Sequence, residues 1–213
     1  ENKRFRLFFC LFRFGDLLSM HKRKTFRIMK QETQFSLFQS LTSNRNLGLV
    51  TLAEVYRLIT TDATLKENAG KFRYFRAQGF DGDANRIKRS KALVFTPAAV
   101  FDGKRNGKNR VSYTQYSLVD IDKLEEGQAE RLVQRLKDDP YWLLVYITLS
   151  GKGLRIIFQV EGVIDGASYL RAFFQGNDHY CRLLGITDFD GQVKDDTRAS
   201  GMCHDPNALY RSE

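Results

Sequence analysis

Cysteine is scarce in this chain, and long apolar runs are missing. The 213 residues include three cysteines, whose spacing suits neither a disulfide-stapled scaffold nor a zinc ribbon. The longest apolar run, residues 141–149, is too short to cross a bilayer, so we expect no transmembrane helix and no stable membrane insertion. Internal repeats and low-complexity linkers are also missing. These absences favour a cytoplasmic protein in a reducing environment, made of one domain or of two subdomains.

Positive charge is spread unevenly along the sequence. The 34 Lys/Arg and 25 Asp/Glu residues give a net charge of +9, but residues 1–31 carry nine basic and two acidic residues, or +7. The rest of the chain therefore carries only +2, so the total charge does not by itself indicate a nucleic-acid-binding domain. Within that rest, residues 71–110 hold eleven basic and three acidic residues, or +8.

The N-terminal residues differ in character from the rest of the chain. Residues 1–28 mix Phe and Leu with Arg and Lys. They could be a weak signal-like segment, a basic amphipathic helix on a membrane surface, or an extension outside the folded unit, which we favour. We therefore predict an extension over residues 1–28 and a folded domain over residues 29–213, in which residues 29–110 could form an N-terminal subdomain.

The remaining sequence predicts a mixed α and β domain. Leu52, Val55 and Ile59 have helical spacing, and Thr51 and Glu54 can form a capping box before them. The later elements are a strand at residues 114–122, a helix at 124–137, two strands at 141–149 and 154–160 joined by a tight turn, and a helix at 167–184. This order is that of a split β-α-β unit, as in ferredoxin-like folds, and it predicts an α+β sheet with helices on one face.

Two acidic residues end the first of these later strands. Alternation along a strand places Asp120 and Asp122 on one face, and Val119 and Ile121 on the other. Paired carboxylates can share hard cations such as Mg²⁺ or Mn²⁺, which stabilise the attacking and leaving oxygens in phosphoryl transfer. Alternatively, Asp122 could cap the next helix in a capping box with Glu125, and Asp120 would then be an ordinary acid at a strand end.

The turn between the last two strands reads Ser-Gly-Lys-Gly. Its glycines permit positive φ angles and close approach of the backbone to a ligand. The Ser150 hydroxyl, backbone N–H groups, Lys152 and Arg155 could together hold a triphosphate. The spacing matches neither a Walker P-loop nor a dinucleotide-binding fingerprint. A plain hairpin turn would explain the same residues without a ligand.

Acidic residues crowd the C-terminal segment: Asp188, Asp190, Asp195, Asp196 and Asp205. One of them could complete a metal site, but most acids in such a run are solvated, and the pattern does not choose between them. Cys203 and His204 are adjacent, but no second Cys/His pair stands at zinc-ligand spacing.

Taken in order, these motifs resemble those of the archaeo-eukaryotic primase superfamily, the prim-pol enzymes. That superfamily has an apolar strand ending in Asp-x-Asp, then a Ser-Gly-x-Gly-x-His turn and strand, and later an isolated Asp after a helix. The matching residues here are 120–122, 150–155 and Asp190. The chain is most similar to the N-terminal domain of virulence-associated-E-like primase–helicase proteins of bacterial mobile elements. The similarity there includes a Pro-containing strand before a Gly turn, at residues 95–104, and an Asp-x-x-x-Lys-Asp-x-x-Arg segment, at residues 190–198.

The resemblance implies a primase-like α+β fold. This fold has an RNA-recognition-like β-α-β-β-α core sheet with helices and an N-terminal α/β subdomain. The implied catalytic and metal-binding residues are Asp120, Asp122 and Asp190, with Mg²⁺ or Mn²⁺ as the cofactor. The implied nucleotide-binding residues are Ser150, Gly151, Lys152, Gly153, Arg155 and Arg198. The implied partners are a single-stranded DNA template, nucleotides and a replicative helicase.

One residue departs from the superfamily pattern, because Arg155 stands where the prim-pol enzymes have His. Arginine can bind phosphate bidentately, but it cannot donate and accept a proton near neutral pH. We therefore consider three functions. The first is a metal-dependent primase-type nucleotidyltransferase in replication of a mobile element. The second is a weakly active or inactive primase-like DNA-binding module that recruits a helicase. The third is a metal-dependent nuclease, which we rank last because the sequence offers no dedicated general base.

Overall fold

The chain divides into two units, residues 1–31 and residues 32–213. The computed structural model describes residues 32–187, 189 and 191–212, with the backbone alone at positions 192 and 193. The predicted extension over residues 1–28 lies outside the described residues. The second unit is a mixed α+β fold with antiparallel sheets, as the sequence predicts. Among the described residues, no helix combines the length and apolarity that spanning a membrane requires.

The described part of the chain forms strands and helices in the following order. They are β1 (Gln34–Phe38), β2 (Asn46–Thr51), α1 (Leu52–Thr61), α2 (Ala63–Ala77), α3 (Asp81–Ser90), β3 (Val94–Phe95), β4 (Ala99–Phe101), β5 (Arg110–Tyr113), β6 (Tyr116–Ile121), α4 (Gln128–Arg135), β7 (Trp142–Ile147), β8 (Leu154–Gln159), α5 (Gly166–Leu184), β9 (Ser200–Gly201) and β10 (Leu209–Tyr210). The predicted order strand, helix, strand, strand, helix is confirmed in β6 to α5.

Two four-stranded sheets organise the fold. The central sheet has the order β10-β7-β8-β6, and the second sheet has the order β2-β1-β3-β9. Strands β4 and β5 form a separate hairpin. Strands β7 and β8 are the predicted hairpin, and β8 also pairs antiparallel with β6. Strand β8 is therefore an inner strand, so its side chains have neighbours on both sides.

Both faces of the central sheet are buried. One face carries Val119 and Ile156 and packs in a cluster that includes Leu132 of α4 and Tyr180 of α5. The other face carries Leu118 and packs in a second cluster that includes residues of β1, α1 and α2. The sequence predicts helices on one face, and the structure adds the second sheet and two more helices on the other. Polar side chains on that inner face therefore lie between two layers.

Local sequence explains some helix ends and fails to explain another. The predicted capping box of α1 is confirmed, since Thr51 accepts from the Glu54 backbone and Glu54 accepts from the Thr51 backbone. Helix α4 begins later than predicted, at Gln128, and its N-cap is Gly127 with φ +70°. The alternative in which Asp122 caps this helix is therefore excluded, because Gly127 is the N-cap and no side chain of the described residues caps this terminus.

Candidate nucleotide and metal site

Three polar side chains form a row across the inner face of the central sheet. Asp120 of β6 lies directly opposite Arg155 of β8, and Arg155 lies directly opposite Tyr146 of β7. Directly opposed residues in neighbouring strands place their side chains on the same face, within contact distance. The row therefore results from strand register, which brings together residues that are distant in the sequence.

Arg155 connects the two sheets. Its Nη2 donates to Oδ2 of Asp120 at 2.9 Å, and its Nη1 donates to Oγ of Ser200 at 3.2 Å and to the Gly201 carbonyl at 3.1 Å. Tyr146 also hydrogen-bonds Ser200 at 2.6 Å and donates to the Gly201 carbonyl at 3.1 Å. Strand β9 of the second sheet is thus held to the central sheet through two polar side chains.

The ion pair between Asp120 and Arg155 is largely shielded from water. Only 7% of the Asp120 side chain and 15% of the Arg155 side chain are exposed. Burial alone would lower the pKa of Arg155, but the neighbouring Asp120 and Tyr146 together outweigh burial and raise the pKa. Burial also raises the pKa of Tyr146 to about 12. At neutral pH Arg155 is therefore a charged guanidinium and Tyr146 a neutral phenol.

The other carboxylate oxygen of Asp120, Oδ1, is inaccessible to solvent and has no hydrogen-bond partner among the described residues. A buried acceptor without a partner costs about 1–3 kcal/mol, and more when it is charged. This oxygen is therefore available, in chemical terms, to a ligand that carries positive charge.

The acidic strand end lies against the Ser-Gly-Lys-Gly turn. A Cβ atom at Gly153 would lie 2.6 Å from Oγ1 of Thr148, 2.7 Å from the Ile121 carbonyl and 3.1 Å from Oδ1 of Asp122. The backbone N–H of Leu124 donates to the Lys152 carbonyl at 2.9 Å, which holds the chain after β6 against the turn. Glycine is needed at position 153 because any side chain there would clash with the end of β6.

The turn itself is a compact hydrogen-bonded loop. Gly151 has φ +73° and donates its N–H to the Thr148 carbonyl at 2.9 Å, so this glycine supplies the left-handed conformation. Oγ of Ser150 accepts from the Lys152 N–H at 3.2 Å. The Lys152 side chain is exposed. These hydrogen bonds form without a ligand, so the turn by itself does not indicate a binding site. The case for a site rests on the residues that surround the turn.

Two cavities border the turn. A small one of about 50 Å³ is lined in part by Asp122, Ser150 and Arg155. A larger groove of about 1050 Å³ is lined by Ser150 and Lys152 of the turn and by residues of α2, including Arg73. Three of the predicted site residues thus share one cavity, and Ser150 of the turn lines both this cavity and the groove.

Cations from α2 and α3 complete the surroundings of the turn. Nε of Arg73 donates to the Leu149 carbonyl, next to the turn, at 3.4 Å. Lys66 of α2 lines the large groove, and Lys88 of α3 lines the small cavity. Arg73 and Lys88 fall within the basic stretch at residues 71–110, and Lys66 precedes it. No sequence motif in that stretch singles out any of its cations.

The C-terminal residues of the predicted site lie elsewhere or are not described. Asp190 lies outside the described residues. Arg198 is exposed, lines neither of the two cavities and is close to Arg105, whose pKa is lowered by burial first and then by Arg198. Asp196 binds Arg110 and accepts from the Tyr113 hydroxyl at 2.8 Å. These contacts attach the C-terminal loop to strand β5.

Three other residues of the C-terminal segment have structural contacts. Asp205 is buried, and its Oδ2 accepts from the Ile147 N–H at 2.8 Å. The Cys203 thiol donates to the Ile147 carbonyl at 2.9 Å, and Nδ1 of His204 lies 3.1 Å from the Ile59 carbonyl. Burial raises the pKa of Cys203 to about 12. Asp205 and Cys203 therefore fix the end of β7, whereas His204 contacts the last turns of α1.

The side chains at the site can be compared with the ligands that the implied Mg²⁺ or Mn²⁺ would need. In the part of the chain that the structure describes, no three Asp, Glu, His or Cys residues are grouped closely enough to hold a metal ion. The described donors are the exposed carboxylate of Asp122 and the buried, unbonded Oδ1 of Asp120. Both are hard oxygen donors of the type that Mg²⁺ and Mn²⁺ prefer, so the residues present fit the chemistry of such an ion.

Residues 87–210, which include β6, the turn and the C-terminal loop, match a family model described as the BT4734-like, N-terminal domain. The search of curated proteins finds no match, and neither does the search of solved structures.

Proposed function

This chain belongs to the BT4734-like N-terminal domain family, and we propose that it is a metal-dependent nucleotidyltransferase of the DNA primase and polymerase type, acting in replication of a mobile element. The observation that carries the proposal is the contact between the acidic end of β6 and the Ser-Gly-Lys-Gly turn. A catalyst of nucleotide transfer needs carboxylates for the cation and a phosphate-binding turn side by side. In this fold Gly153 brings the two within contact distance.

Each part of the site has a distinct role in this proposal. A bound Mg²⁺ or Mn²⁺, held by Asp120, Asp122 and Asp190, would supply Lewis-acid activation of the attacking 3′-hydroxyl and neutralise phosphate charge. Lys152 would neutralise the triphosphate from the turn. Arg73, which the sequence does not single out, would do so from α2.

A primer-synthesis and extension assay on single-stranded DNA, with Mg²⁺ or Mn²⁺ and all eight nucleotides, tests the proposal. The informative variant is Asp122→Asn, because Asp122 is exposed and its substitution leaves the ion pair of Asp120 intact. The matched control is Asp138→Asn, since Asp138 is an exposed acid that lines neither cavity and lies outside the motifs of the site. We expect incorporation that is lost in Asp122→Asn and kept in Asp138→Asn. A folded wild-type protein without incorporation would overturn the proposal.

The pairing of Asp120 with Arg155 favours a second candidate, a primase-like DNA-binding module that recruits a helicase. One oxygen of Asp120 is already bonded to a guanidinium, which reduces the negative charge available to a cation. A module of this kind would bind single-stranded DNA equally well in EDTA and would incorporate no nucleotide. DNA binding that requires Mg²⁺ or Mn²⁺ would argue against this candidate.

A further inference from the structure

We propose that the surface of helices α2 and α3, residues 63–91, is a binding track for single-stranded DNA that leads to the Ser-Gly-Lys-Gly turn. The assignment of this strand as a template rests on the proposed function. The binding itself does not, because it can be measured without any chemistry. Three features of the surface carry the proposal: its charge, its exposed aromatic rings and its continuity with the candidate site.

The first feature is the concentration of positive charge. Residues 63–91 contain eight Lys/Arg and three Asp/Glu, a net charge of +5. Residues 32–213 as a whole carry +2, so everything in this unit outside the two helices and their connection carries −3. A polyanion is therefore attracted to this surface and repelled, on average, by the rest of the folded unit.

Most of these cations are available to a ligand. The cations without an acidic partner within 4 Å among the described residues are Lys66, Arg73, Lys88, Arg89 and Lys91. The other three form exposed ion pairs, Lys71 with Glu67, Arg76 with Asp81 and Arg86 with Asp83. Exposed pairs of this kind contribute little to stability, so they can be exchanged for phosphate contacts at small cost.

The second feature is a set of exposed aromatic rings among these charges. Tyr74 is 60% exposed and Phe80 is 53% exposed. Phe75 lies between them, with ring centroids 5.7 Å from Tyr74 and 6.4 Å from Phe80. Phe72 is buried in the core and takes no part. Phe75 is partly buried against the core and supports the two exposed rings, Tyr74 and Phe80, at the α2–α3 corner.

Aromatic rings beside unpaired cations match the chemistry of single-stranded nucleic acid. Unpaired bases stack on aromatic side chains, while the backbone phosphates bind Lys and Arg. A duplex offers the phosphates but hides the faces of its bases. An acidic protein partner would use the charge but would have no planar groups for the exposed Tyr74 and Phe80. The combination therefore favours a single strand.

The third feature is continuity with the site. Arg73 follows the buried Phe72, precedes Tyr74 in α2 and donates to the Leu149 carbonyl beside the turn. Lys88 of α3 lines the same small cavity as Asp122. A strand held along the two helices would thus reach the turn through residues that already contact the turn or share a cavity with the acidic strand end.

Fluorescence anisotropy with a fluorescein-labelled 20-nucleotide oligo-dT tests the track, with EDTA present to separate binding from any metal-dependent reaction. We expect Tyr74→Ala and Phe80→Ala each to weaken binding by about tenfold, the scale of losing one base–aromatic stack. The matched control is Tyr141→Ala, because Tyr141 is also 60% exposed but precedes β7. We expect the control variant to bind as tightly as the wild type. Circular dichroism verifies that each variant is folded.

Charge and strand type give a second readout. Arg73→Ala and Lys88→Ala should each reduce the slope of log Kd against log salt concentration by about 0.7, the value for one phosphate contact on a single strand. Unlabelled oligo-dT should compete better than a duplex of the same length. Wild-type affinity in both aromatic variants, equal competition by the duplex, or stronger competition by a ribo-oligonucleotide would overturn the proposal.

The results separate the two proposals. Tight oligo-dT binding that depends on Tyr74 and Phe80, without nucleotide incorporation, would retain the track and overturn the nucleotidyltransferase. Incorporation by the wild type, with wild-type binding in both aromatic variants, would retain the enzyme and overturn the track.

Discussion

Replacing Arg155 with methionine should destabilise the fold strongly. Arg155→Met would keep much of the side-chain volume but leave Asp120 buried, with neither carboxylate oxygen bonded within the described part of the chain. Removing one partner of a buried ion pair typically costs about 3–5 kcal/mol, because the remaining charge stays uncompensated. The variant would also lose the two hydrogen bonds from Arg155 to β9, which would leave only those from Tyr146 among the side-chain bonds that hold β9 to the central sheet in the described part of the chain. Since small domains have a total stability of about 5–15 kcal/mol, this loss would be a large share.

A double-mutant cycle isolates the contribution of the ion pair. Asp120→Asn should also be destabilising, because it leaves the Arg155 guanidinium without its carboxylate. The double variant Asp120→Asn/Arg155→Met should lose less than the sum of the two single variants, since no buried charge remains in it. We expect a coupling free energy of about 2–3 kcal/mol, within the range measured for contacting residues.

Urea unfolding followed by tryptophan fluorescence provides the measurement. Trp142 is the chain's single tryptophan, is 6% exposed and donates from its indole to the Leu136 carbonyl at 2.6 Å, so its emission reports on the core. Arg171→Met serves as the control, because Arg171 is exposed on α5, and its loss should change the free energy of unfolding by less than about 0.5 kcal/mol.

One outcome would refute the reasoning about this ion pair. If Arg155→Met costs less than about 1 kcal/mol and Asp120→Asn stabilises the protein, then Asp120 is a strained acid kept for a cation and not the structural partner of Arg155. A clear destabilisation in both single variants would have a practical consequence. Loss of activity in Asp120→Asn would then report on folding as well as on chemistry, which leaves Asp122→Asn as the better test of catalysis.

Three further predictions follow from the turn and from the buried ionisable groups. Gly153→Ala should lower the free energy of unfolding by about 1–3 kcal/mol in urea titrations, because its Cβ has no room, whereas Gly82→Ala in α3 should raise it by about 0.5–1 kcal/mol, because nothing lies within 4 Å. Cys203 should resist iodoacetamide at pH 8 in the native protein and react in urea, as peptide mass spectrometry would show, because its thiol is buried. Above pH 9 the free energy of unfolding should fall. Burial raises the pKa of Cys203 from 9 and of Tyr146 from 10, each to about 12, so both groups ionise in the unfolded chain first. Stability should be constant from pH 7 to 8.5 and decline from pH 9 to 12.

Each of these predictions has an outcome that contradicts it. Equal stability of Gly153→Ala and the wild type would mean that the turn does not press against the end of β6. Rapid native-state labelling of Cys203 would mean that the end of β7 opens to solvent. A free energy of unfolding that stays constant from pH 8 to 11 would show that the Cys203 thiol and the Tyr146 phenol are not protected in the folded state.

The elements that local sequence predicts well are those whose signals lie within a few residues. Thr51 and Glu54 are three positions apart, so their capping box is visible in the sequence, and the structure confirms it. The hairpin of β7 and β8 is predicted because two apolar strands flank a four-residue glycine turn. The start of α4 is predicted wrongly because a bond from Leu124 to Lys152, 28 positions later, holds the chain away from a helical path.

For the candidate site, motif order and resemblance single out Asp122, Ser150 and Arg155, which the structure brings to one cavity. Neither the motifs nor the resemblance indicates that Arg155 binds Asp120. That contact depends on β8 lying between β6 and β7 with Asp120 and Arg155 in the same register, and strand order is not encoded in the spacing of either motif. Arg73 is not singled out for the same reason, since only the packing of α2 brings it to the turn.

Periodicity and turn chemistry are properties of neighbouring residues, so the chain alone specifies which residues form strands, which face each side chain takes and where the hairpin turns. Pairing between strands 35 positions apart, and the approach of β9 to Arg155 from 45 positions away, arise only when the two sheets pack. The sequence shows two equivalent acids on one face of β6. In the packed structure they differ, because Asp120 is buried and ion-paired with Arg155, whereas Asp122 is exposed. The difference between them arises from burial and register, which only the tertiary structure provides.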